Sequence, residues 1–193
     1  PIADNEWQHF VDNTTIALMA GGESSRFSSV LDGTQANKSA FELPNGDTMI
    51  EICIRMYRDA GFKKFVALVL HNANSIDERL GDGSGFGVQL SYSYDPEVPI
   101  GQGGAVLITL ENGSIPETDN LSVVNPDDVV LHFPDFPRYI SEAHIEGVKN
   151  GAVATAVLGL GQAYHSTGMM VVDNKVVDTK MYPFIPVPAH VGI

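Results

Sequence analysis

Residues 15–20 read TIALMA, and the polar stretch that follows them, from Gly21 to Asn37, begins GGESSR. A short apolar run bounded by glycine is typical of a strand that is buried on both faces of a sheet. Connections between strands and helices are usually about 2–6 residues long. A polar stretch of this length, directly after a buried strand, therefore indicates a functional loop.

The clearest helix pattern lies downstream of this loop, over Thr48–Ala60. Thr48 and Glu51 have the spacing of a capping box, in which each residue satisfies a backbone N–H near the other. Gly61 stands where the end of a helix favours a left-handed residue. Apolar residues recur on one face at helical spacing: Ile50, Cys53, Ile54 and Tyr57.

Weaker patterns complete the outline of the chain. Ser75 and Glu78 have the spacing of a second capping box and predict a helix over 75–80. The other predicted elements are helices over 5–12, 105–110 and 136–149, strands over 65–70, 88–92, 121–124 and 152–158, and a hairpin around 173–175. Strands that alternate with helices predict an α/β fold, Rossmann-like and three-layered (α/β/α), with a mostly parallel central sheet. We interpret residues 1–193 as a single domain.

The loop after the first strand has the composition of a phosphate-binding segment. Gly21 and Gly22 allow backbone N–H groups to approach a phosphate chain. Arg26 can form a fork with phosphate oxygens, and Lys38 adds a point charge. The alternative is a flexible surface loop with two solvated cations. The loop is neither a P-loop, since the Gly-Lys-Ser/Thr ending is missing, nor a G-x-G-x-x-G dinucleotide loop.

Asp127 and Asp128 follow the predicted strand at 121–124. In parallel sheets, ligands bind beyond the carboxyl ends of the strands, which is where these carboxylates lie. One or two carboxylates together with substrate phosphates form a usual Mg²⁺ site. The alternative is ordinary turn chemistry, because Pro-Asp-Asp is common in turns. Together with the loop, the pair favours a metal–phosphate site.

Composition excludes several other classes of protein. The formal net charge of −13 repels nucleic-acid phosphates, so we do not expect DNA or RNA binding. No apolar run is long enough to span a bilayer, which takes about 20 residues, so we expect no membrane association. The single Cys53 excludes an internal disulfide, and its place on an apolar helix face favours a role in the core. With no signal peptide pattern, a cytoplasmic location is the simplest expectation.

Six motifs, in order, give the chain a family resemblance. They are LMAGGESSRF at 18–27 with Lys38 downstream, GDTMIE at 46–51, DAGFKKF at 59–65, GDGSGFGV at 81–88, GQGGA at 101–105 and VNPD at 124–127. This set resembles the sugar-phosphate nucleotidyltransferases, which have a GT-A-like, Rossmann-type fold (the nucleotide-diphospho-sugar transferase type). The first motif is also similar to that of the molybdenum-cofactor nucleotidyltransferases, but the other motifs favour the sugar branch.

The resemblance implies an activity and a set of roles. The protein would join a nucleoside monophosphate from an NTP to a sugar 1-phosphate, giving an NDP-sugar and pyrophosphate, with Mg²⁺ as cofactor. The implied nucleotide-binding residues are Ala20, Gly21, Gly22, Gly103 and Gly104. The implied catalytic residues are Arg26 on the β- and γ-phosphates, Lys38 between the α-phosphate and the sugar phosphate, and Asp127 on the metal. Asp95 stands where relatives often place a polar residue that reads the base.

The sugar side matches the family less closely. Gly168 matches a glycine that contacts the sugar ring. The family's Glu-Lys-Pro falls near residues 180–183, where Lys180 is the candidate for the sugar phosphate. The sequence ends where the family continues, so we expect the family's C-terminal elements to be missing. Two alternatives stay open: a non-catalytic regulatory homologue that binds a nucleotide or NDP-sugar, and transfer to a non-sugar phosphate. The base, the sugar and the formation of homo-oligomers are also left open.

Overall fold

The structure is a computed structural model that describes residues 2–24, 36–96, 100–116, 120–128, 133–160, 167–173, 175–181 and 188–190. The chain divides into two compact units, residues 1–139 and 140–193. In the first unit the helices are α1 (Asp4–Asp12), α2 (Met49–Asp59), α3 (Ala73–Leu80) and α4 (Gly101–Glu111). Its strands are β1 (Thr14–Ala20), β2 (Lys64–Val69), β3 (Gln89–Tyr94) and β4 (Asn120–Val124). Helix α5 (Phe136–Lys149) begins in the first unit and continues into the second.

The first unit is built on a parallel sheet with the strand order β3-β2-β1-β4. Strand β1 lies in the interior, and its Leu18 pairs with Ala67 on one side and with Val124 on the other. A strand in this position is covered on both faces, and Ile16, Ala17 and Leu18 are fully buried. Helices flank the sheet, so the predicted α/β fold with a mostly parallel central sheet is confirmed.

The strand order creates a switch point beside β1. From β1 the chain moves outward through β2 to β3, and then returns to β4 on the opposite side of β1. The connections after β1 and after β4 therefore leave the same edge of the sheet in neighbouring positions. In open α/β sheets, this crevice beyond the carboxyl ends is where ligands bind.

Two apolar clusters hold helices onto the sheet. Helix α4 packs on one side, where buried side chains of the sheet and the helix meet: Ala17, Val66, Leu68, Ala105 and Ile115. The second cluster is aromatic. The ring of Phe62 lies 5.8 Å from Trp7 of α1 and 5.7 Å from Tyr57 of α2, measured between centroids. Since all three side chains are buried, the cluster ties both helices to the start of β2.

The ends of α2 agree with the sequence pattern. Thr48 N–H donates to Glu51 Oε2 (2.8 Å), and Glu51 N–H donates to Thr48 Oγ1 (3.3 Å), which completes the predicted capping box. Gly61 has a φ of +111°, as expected after a helix. Cys53 is buried on this helix, and burial raises the pKa of its thiol to about 12. The interpretation of Cys53 as a core residue is therefore confirmed.

The second predicted capping box is wrong. Helix α3 begins at Ala73, two residues earlier than predicted, so Ser75 lies within its first turn and does not precede the helix. The Ser75 hydroxyl donates to Asn72 O (2.7 Å) and accepts from the backbone N–H of Asn37 (2.9 Å). The Ser75 hydroxyl, which a capping box would need, is therefore bonded to Asn37, a residue distant in sequence.

Two other predicted boundaries differ from the structure. Helix α4 begins at Gly101, four residues before the predicted start, because its glycine-rich first turn hides the helical pattern. The predicted strand at 152–158 is wrong except for Leu158, which begins β5 (Leu158–Leu160). Residues 152–157 have no strand partner in the described part of the chain, and Val153 is almost fully exposed.

The second unit contains an antiparallel sheet with the order β5-β8-β6-β7. Its other strands are β6 (Thr167–Val172), β7 (Lys175–Met181) and β8 (Pro188–His190). Strands β6 and β7 form the predicted hairpin, with Asp173 in the left-handed region at a φ of +50°. Nothing in the sequence pattern predicts the pairing of β5 with β8.

None of the described helices could cross a membrane by length and hydropathy.

Candidate active site

The candidate site begins at the carboxyl end of β1. Ala20 ends the strand and is buried, whereas Gly22 is exposed. A Cβ atom added to Gly21 would lie 3.6 Å from Leu68 O and from Asp95 Oδ2, which is an ordinary van der Waals contact. An atom added to Gly22 would meet nothing within 4 Å. The backbone is therefore open at Gly22, whereas Gly21 lies close to Asp95.

A buried asparagine fixes the far end of the loop. The Asn37 side chain donates to Ala20 O (2.7 Å) and His71 O (3.3 Å), and it accepts from the backbone N–H of Ser39 (3.0 Å). Asn37 is only 1% exposed, so these bonds satisfy a polar side chain that burial would otherwise destabilise. The sequence pattern assigns no role to Asn37. No local pattern marks it, because its two acceptors lie 17 and 34 residues away.

The two ends of the loop are also joined directly. The backbone N–H of Lys38 donates to Ser24 Oγ (3.2 Å). Ser24 has a φ of +59°, so the chain turns sharply just after the glycines. Arg26, the predicted ligand of the β- and γ-phosphates, lies between these two ends and outside the described residues.

Lys38 and Asp127 meet across the switch point. Lys38 Nζ lies 2.5 Å from Asp127 Oδ2 and forms an ion pair with it. Their side chains are 33% and 38% exposed, so both groups border solvent. The structure therefore brings together two of the three predicted catalytic residues, one from the loop after β1 and one from the turn after β4.

Asp127 lies in a turn that local contacts hold in place. Asn125 Nδ2 donates to Asp128 Oδ2 (3.1 Å), and the backbone N–H of Asp128 donates to Asn125 O (3.0 Å). Gln102 at the start of α4 donates to Asn125 Oδ1 (3.2 Å) and links the turn to the GQGGA segment. The ordinary turn chemistry expected for Pro-Asp-Asp is therefore present, and it serves to present the Asp127 carboxylate to the switch point.

Asp95 lies on the β2–β3 side of the same edge. Its backbone N–H donates to Val69 O (2.9 Å), which holds it directly after β3. Its Oδ1 atom is buried without a hydrogen-bond partner among the described residues. Burial raises the pKa of this carboxyl. Because buried polar atoms are normally paired, Asp95 has an acceptor available for a donor supplied by a ligand.

Gly103 and Gly104 occupy the first turn of α4. An added Cβ on Gly103 would meet nothing within 4 Å, so its surface is open to a flat ligand. An added Cβ on Gly104 would lie 2.8 Å from the Cβ atom of Ile100. Gly104 is therefore required for the packing of Ile100 against the helix, whatever else it contacts.

The predicted sugar-phosphate residues lie in the second unit. Gly168 of β6 is the direct register partner of Lys180 of β7. The two positions that the family resemblance singles out are therefore neighbours on adjacent strands.

The described residues can supply only part of a metal site. Among them, no cluster of three or more His, Cys, Asp or Glu side chains could hold a metal ion. Mg²⁺ does not need such a cluster, because one or two carboxylates and the phosphates of a substrate can complete its octahedral shell. Asp127, whose side chain borders solvent, fits that role.

The parallel sheet, its switch point and the glycine-rich loop define an α/β protein of the open-sheet class, in which ligands generally bind beyond the carboxyl edge of the sheet. A comparison with protein families matches residues 16–179 to the nucleotidyl transferase model. The chain belongs to the nucleotidyl transferase family. A search of curated proteins found no match.

Two solved structures show how far the fold is shared. One, from Bacillus anthracis, is described as a glucose-1-phosphate thymidylyltransferase in complex with a sucrose. It is 16% identical, with a TM-score of 0.71 over 93% of this chain and 69% of that one. The other is the inositol-1-phosphate CTP transferase from T. maritima. It is 15% identical, with a TM-score of 0.64 over 93% of this chain and 68% of that one.

Proposed function

We propose that the protein transfers a nucleoside monophosphate from an NTP to a sugar 1-phosphate and releases pyrophosphate. The observation that carries the proposal is the meeting of Lys38 and Asp127 at the switch point, beside the backbone of Gly21 and Gly22. This arrangement offers a cation, a metal-binding carboxylate and accessible backbone to one triphosphate. The family match and the two structural neighbours support the same reaction class.

Each group has one task in the proposed reaction. A phosphate oxygen of the sugar 1-phosphate attacks the α-phosphorus in line, and the bond from that phosphorus to the β-phosphate oxygen breaks. Pyrophosphate leaves with the electron pair of that bond. Lys38 stabilises negative charge on the α-phosphate and the attacking phosphate, and Arg26 binds the β- and γ-phosphates. Reactions of this kind depend on positioning and charge stabilisation more than on covalent chemistry.

Mg²⁺ bound by Asp127 would neutralise phosphate charge as the leaving group departs. The open face of Gly103 would accommodate the base, and Asp95 would accept a hydrogen bond from it. Gly168 and Lys180, which are register partners in the β6–β7 hairpin, are the proposed contacts for the sugar 1-phosphate.

A second candidate is transfer to a phosphorylated polyol. The observation that favours it is the T. maritima neighbour, whose acceptor is inositol 1-phosphate. The sugar half-site also departs from the family pattern around Lys180. The third reading, a non-catalytic protein that binds a nucleotide or NDP-sugar, shares the same nucleotide contacts but predicts no turnover.

One experiment separates these readings. Purified protein with Mg²⁺ is incubated with each NTP and a panel of sugar 1-phosphates and inositol 1-phosphate, and pyrophosphate release is measured. The proposal expects release only when one NTP and one sugar 1-phosphate are present together. Release that occurs with an NTP and inositol 1-phosphate, but with none of the sugar 1-phosphates, would favour the second candidate. Nucleotide binding without release from any pair would favour the third.

Lys38→Ala is the decisive variant in this assay. Loss of one charge-stabilising donor typically costs on the order of 10²–10³ in rate, so we expect pyrophosphate release to fall by about that factor. Lys63→Ala is the matched control, because Lys63 is exposed and directly precedes β2, at the opposite edge of the sheet. Equal activity of the two variants would contradict the role of Lys38.

A further inference from the structure

The Lys38–Asp127 ion pair joins two groups that the proposed function uses for different ligands. Lys38 binds phosphate in that function, and Asp127 binds the cation. In the structure, the Lys38 ammonium and an Asp127 oxygen already neutralise each other at 2.5 Å. A phosphate must therefore compete with Asp127 for Lys38, and a cation must compete with Lys38 for Asp127.

The pair can open without a change in the backbone. Both side chains are about one-third exposed, so either ligand can approach from solvent. Their backbones are held by other contacts: Lys38 N–H bonds to Ser24 Oγ, and the Asp127 turn is held by Asn125 and Asp128. Separation of the ion pair would break none of these contacts.

We propose, on the basis of the proposed function, that this ion pair is an autoinhibitory contact that couples the binding of the triphosphate to the binding of the divalent cation. A cation that takes Asp127 releases Lys38 for phosphate, and a phosphate that takes Lys38 releases Asp127 for the cation. Linkage makes this coupling reciprocal. Exposed ion pairs change an equilibrium by roughly fivefold at most, which sets the expected size of the effect.

The first test uses inorganic tripolyphosphate and metal-free protein, with affinity measured by calorimetry in the presence of EDTA. The proposal expects Asp127→Asn to bind tripolyphosphate about fivefold more tightly than the wild type. Asp128→Asn removes the same charge from the neighbouring residue but leaves the ion pair intact, so we expect a smaller gain. If Asp127→Asn binds no more tightly than Asp128→Asn, or does not bind at all, the ion pair does not oppose phosphate binding and the proposal is wrong.

The reciprocal test uses Mn²⁺ alone, with free Mn²⁺ measured by electron paramagnetic resonance. Lys38→Met is expected to bind Mn²⁺ roughly threefold to fivefold more tightly than the wild type, because Asp127 loses its competing cation. Lys63→Met, with the same change of charge at a distance, is the control. Equal Mn²⁺ affinities of the two variants would overturn the proposal.

These measurements separate this proposal from the proposed function. If the wild-type protein releases pyrophosphate but neither variant gains affinity, the proposed function stands and the coupling is wrong. If both variants gain affinity but the wild-type protein transfers no nucleotide, the coupling stands and the proposed reaction is wrong.

Discussion

Asp95 combines a partly buried carboxyl with a place at the edge of the sheet where the nucleotide is proposed to bind. Its Oδ1 atom is buried without a partner among the described residues, and burial raises the pKa of the carboxyl. Ionisation is less favourable for a carboxyl that has one oxygen buried without a hydrogen bond. The position beside Gly21, at the edge where the nucleotide is proposed to bind, offers a reason for keeping it.

Asp95→Asn is expected to raise the free energy of unfolding of the ligand-free protein at neutral pH. When folding raises the pKa of a carboxyl, the protein loses stability as the pH rises above the unfolded pKa of about 3.9, because the folded state must then ionise a partly buried group. The advantage of the Asn variant should therefore increase from pH 4 towards neutrality. Urea unfolding across this range measures it. A wild-type protein as stable as the variant at neutral pH would contradict this reading.

The burial of Cys53 and the orphan oxygen of Asp95 differ in how readily a sequence predicts them. Cys53 follows from helical spacing, since its neighbours on the same face are also apolar. Asp95 lies close to Gly21, which directly follows β1 and is 74 positions earlier in the sequence, and no local pattern encodes that approach. The same reason explains why Asn37 was not predicted.

At the scale of the element, the loop after β1 depends on its anchors. Asn37 joins the loop to the ends of β1 and β2, and the next residue in the chain is Lys38. The buried Asn37 side chain makes three hydrogen bonds, so its removal is expected to affect both the end of the loop and the candidate catalytic lysine.

Asn37→Ala is expected to lower the free energy of unfolding by about 1–3 kcal/mol, since the Ala20 and His71 carbonyls lose their donor in a buried place. Pyrophosphate release should fall as well, because Lys38 loses its fixed neighbour. Chemical denaturation checks the stability. The control is Asn45→Ala, whose exposed amide bonds only to Asp47 among the contacts described. Equal stability of the two variants would show that Asn37 is not an anchor.

A second anchor links α2 to α3. Arg79 Nε donates to Glu51 Oε1 (2.9 Å), and Arg79 Nη2 donates to Glu51 Oε2 (3.1 Å). Burial alone would raise the pKa of Glu51, but the hydrogen bonds from Arg79 and Thr48 outweigh it and lower the pKa. The capping box of α2 and the contact with α3 therefore share one carboxylate.

Glu51→Gln is expected to destabilise the protein by about 1–3 kcal/mol at neutral pH, since charged hydrogen bonds become neutral ones. A carboxyl whose pKa is lowered by folding stabilises the protein above its unfolded pKa, about 4.3, and this contribution is lost as the pH falls through the folded value. The difference between wild type and variant should thus shrink in acid. Denaturation at several pH values measures it, and a difference that stays constant to the acid end would disprove the ion-pair explanation.

Local patterns predicted the elements best where the cause is local. The capping box of α2 and the full length of α5 follow from residues within one or two turns of each other. The second capping box failed because Ser75 bonds to Asn37, 38 positions away. The strand expected at 152–158 failed because a pattern of small and β-branched residues does not supply a partner strand.

At the scale of the whole molecule, topology turns separate motifs into one site. The order β3-β2-β1-β4 places the loop after β1 next to the turn after β4, although Lys38 and Asp127 are 89 residues apart in sequence. The family resemblance implies a catalytic role for both residues, but it does not indicate that they contact each other. Sequence alone could not show that they pair, because the pairing depends on the return of the chain to β4 beside β1.

The most direct test of the account follows the phosphates of the NTP. The protein is incubated with Mg²⁺, the sugar 1-phosphate found active in the panel and either α-³²P- or γ-³²P-labelled NTP. We expect the α label to appear in the NDP-sugar and the γ label in pyrophosphate, in equal amounts, and we expect Lys38→Ala to form both products about 10²–10³-fold more slowly. Label recovered only as free nucleoside monophosphate, or undiminished transfer by Lys38→Ala, would contradict it.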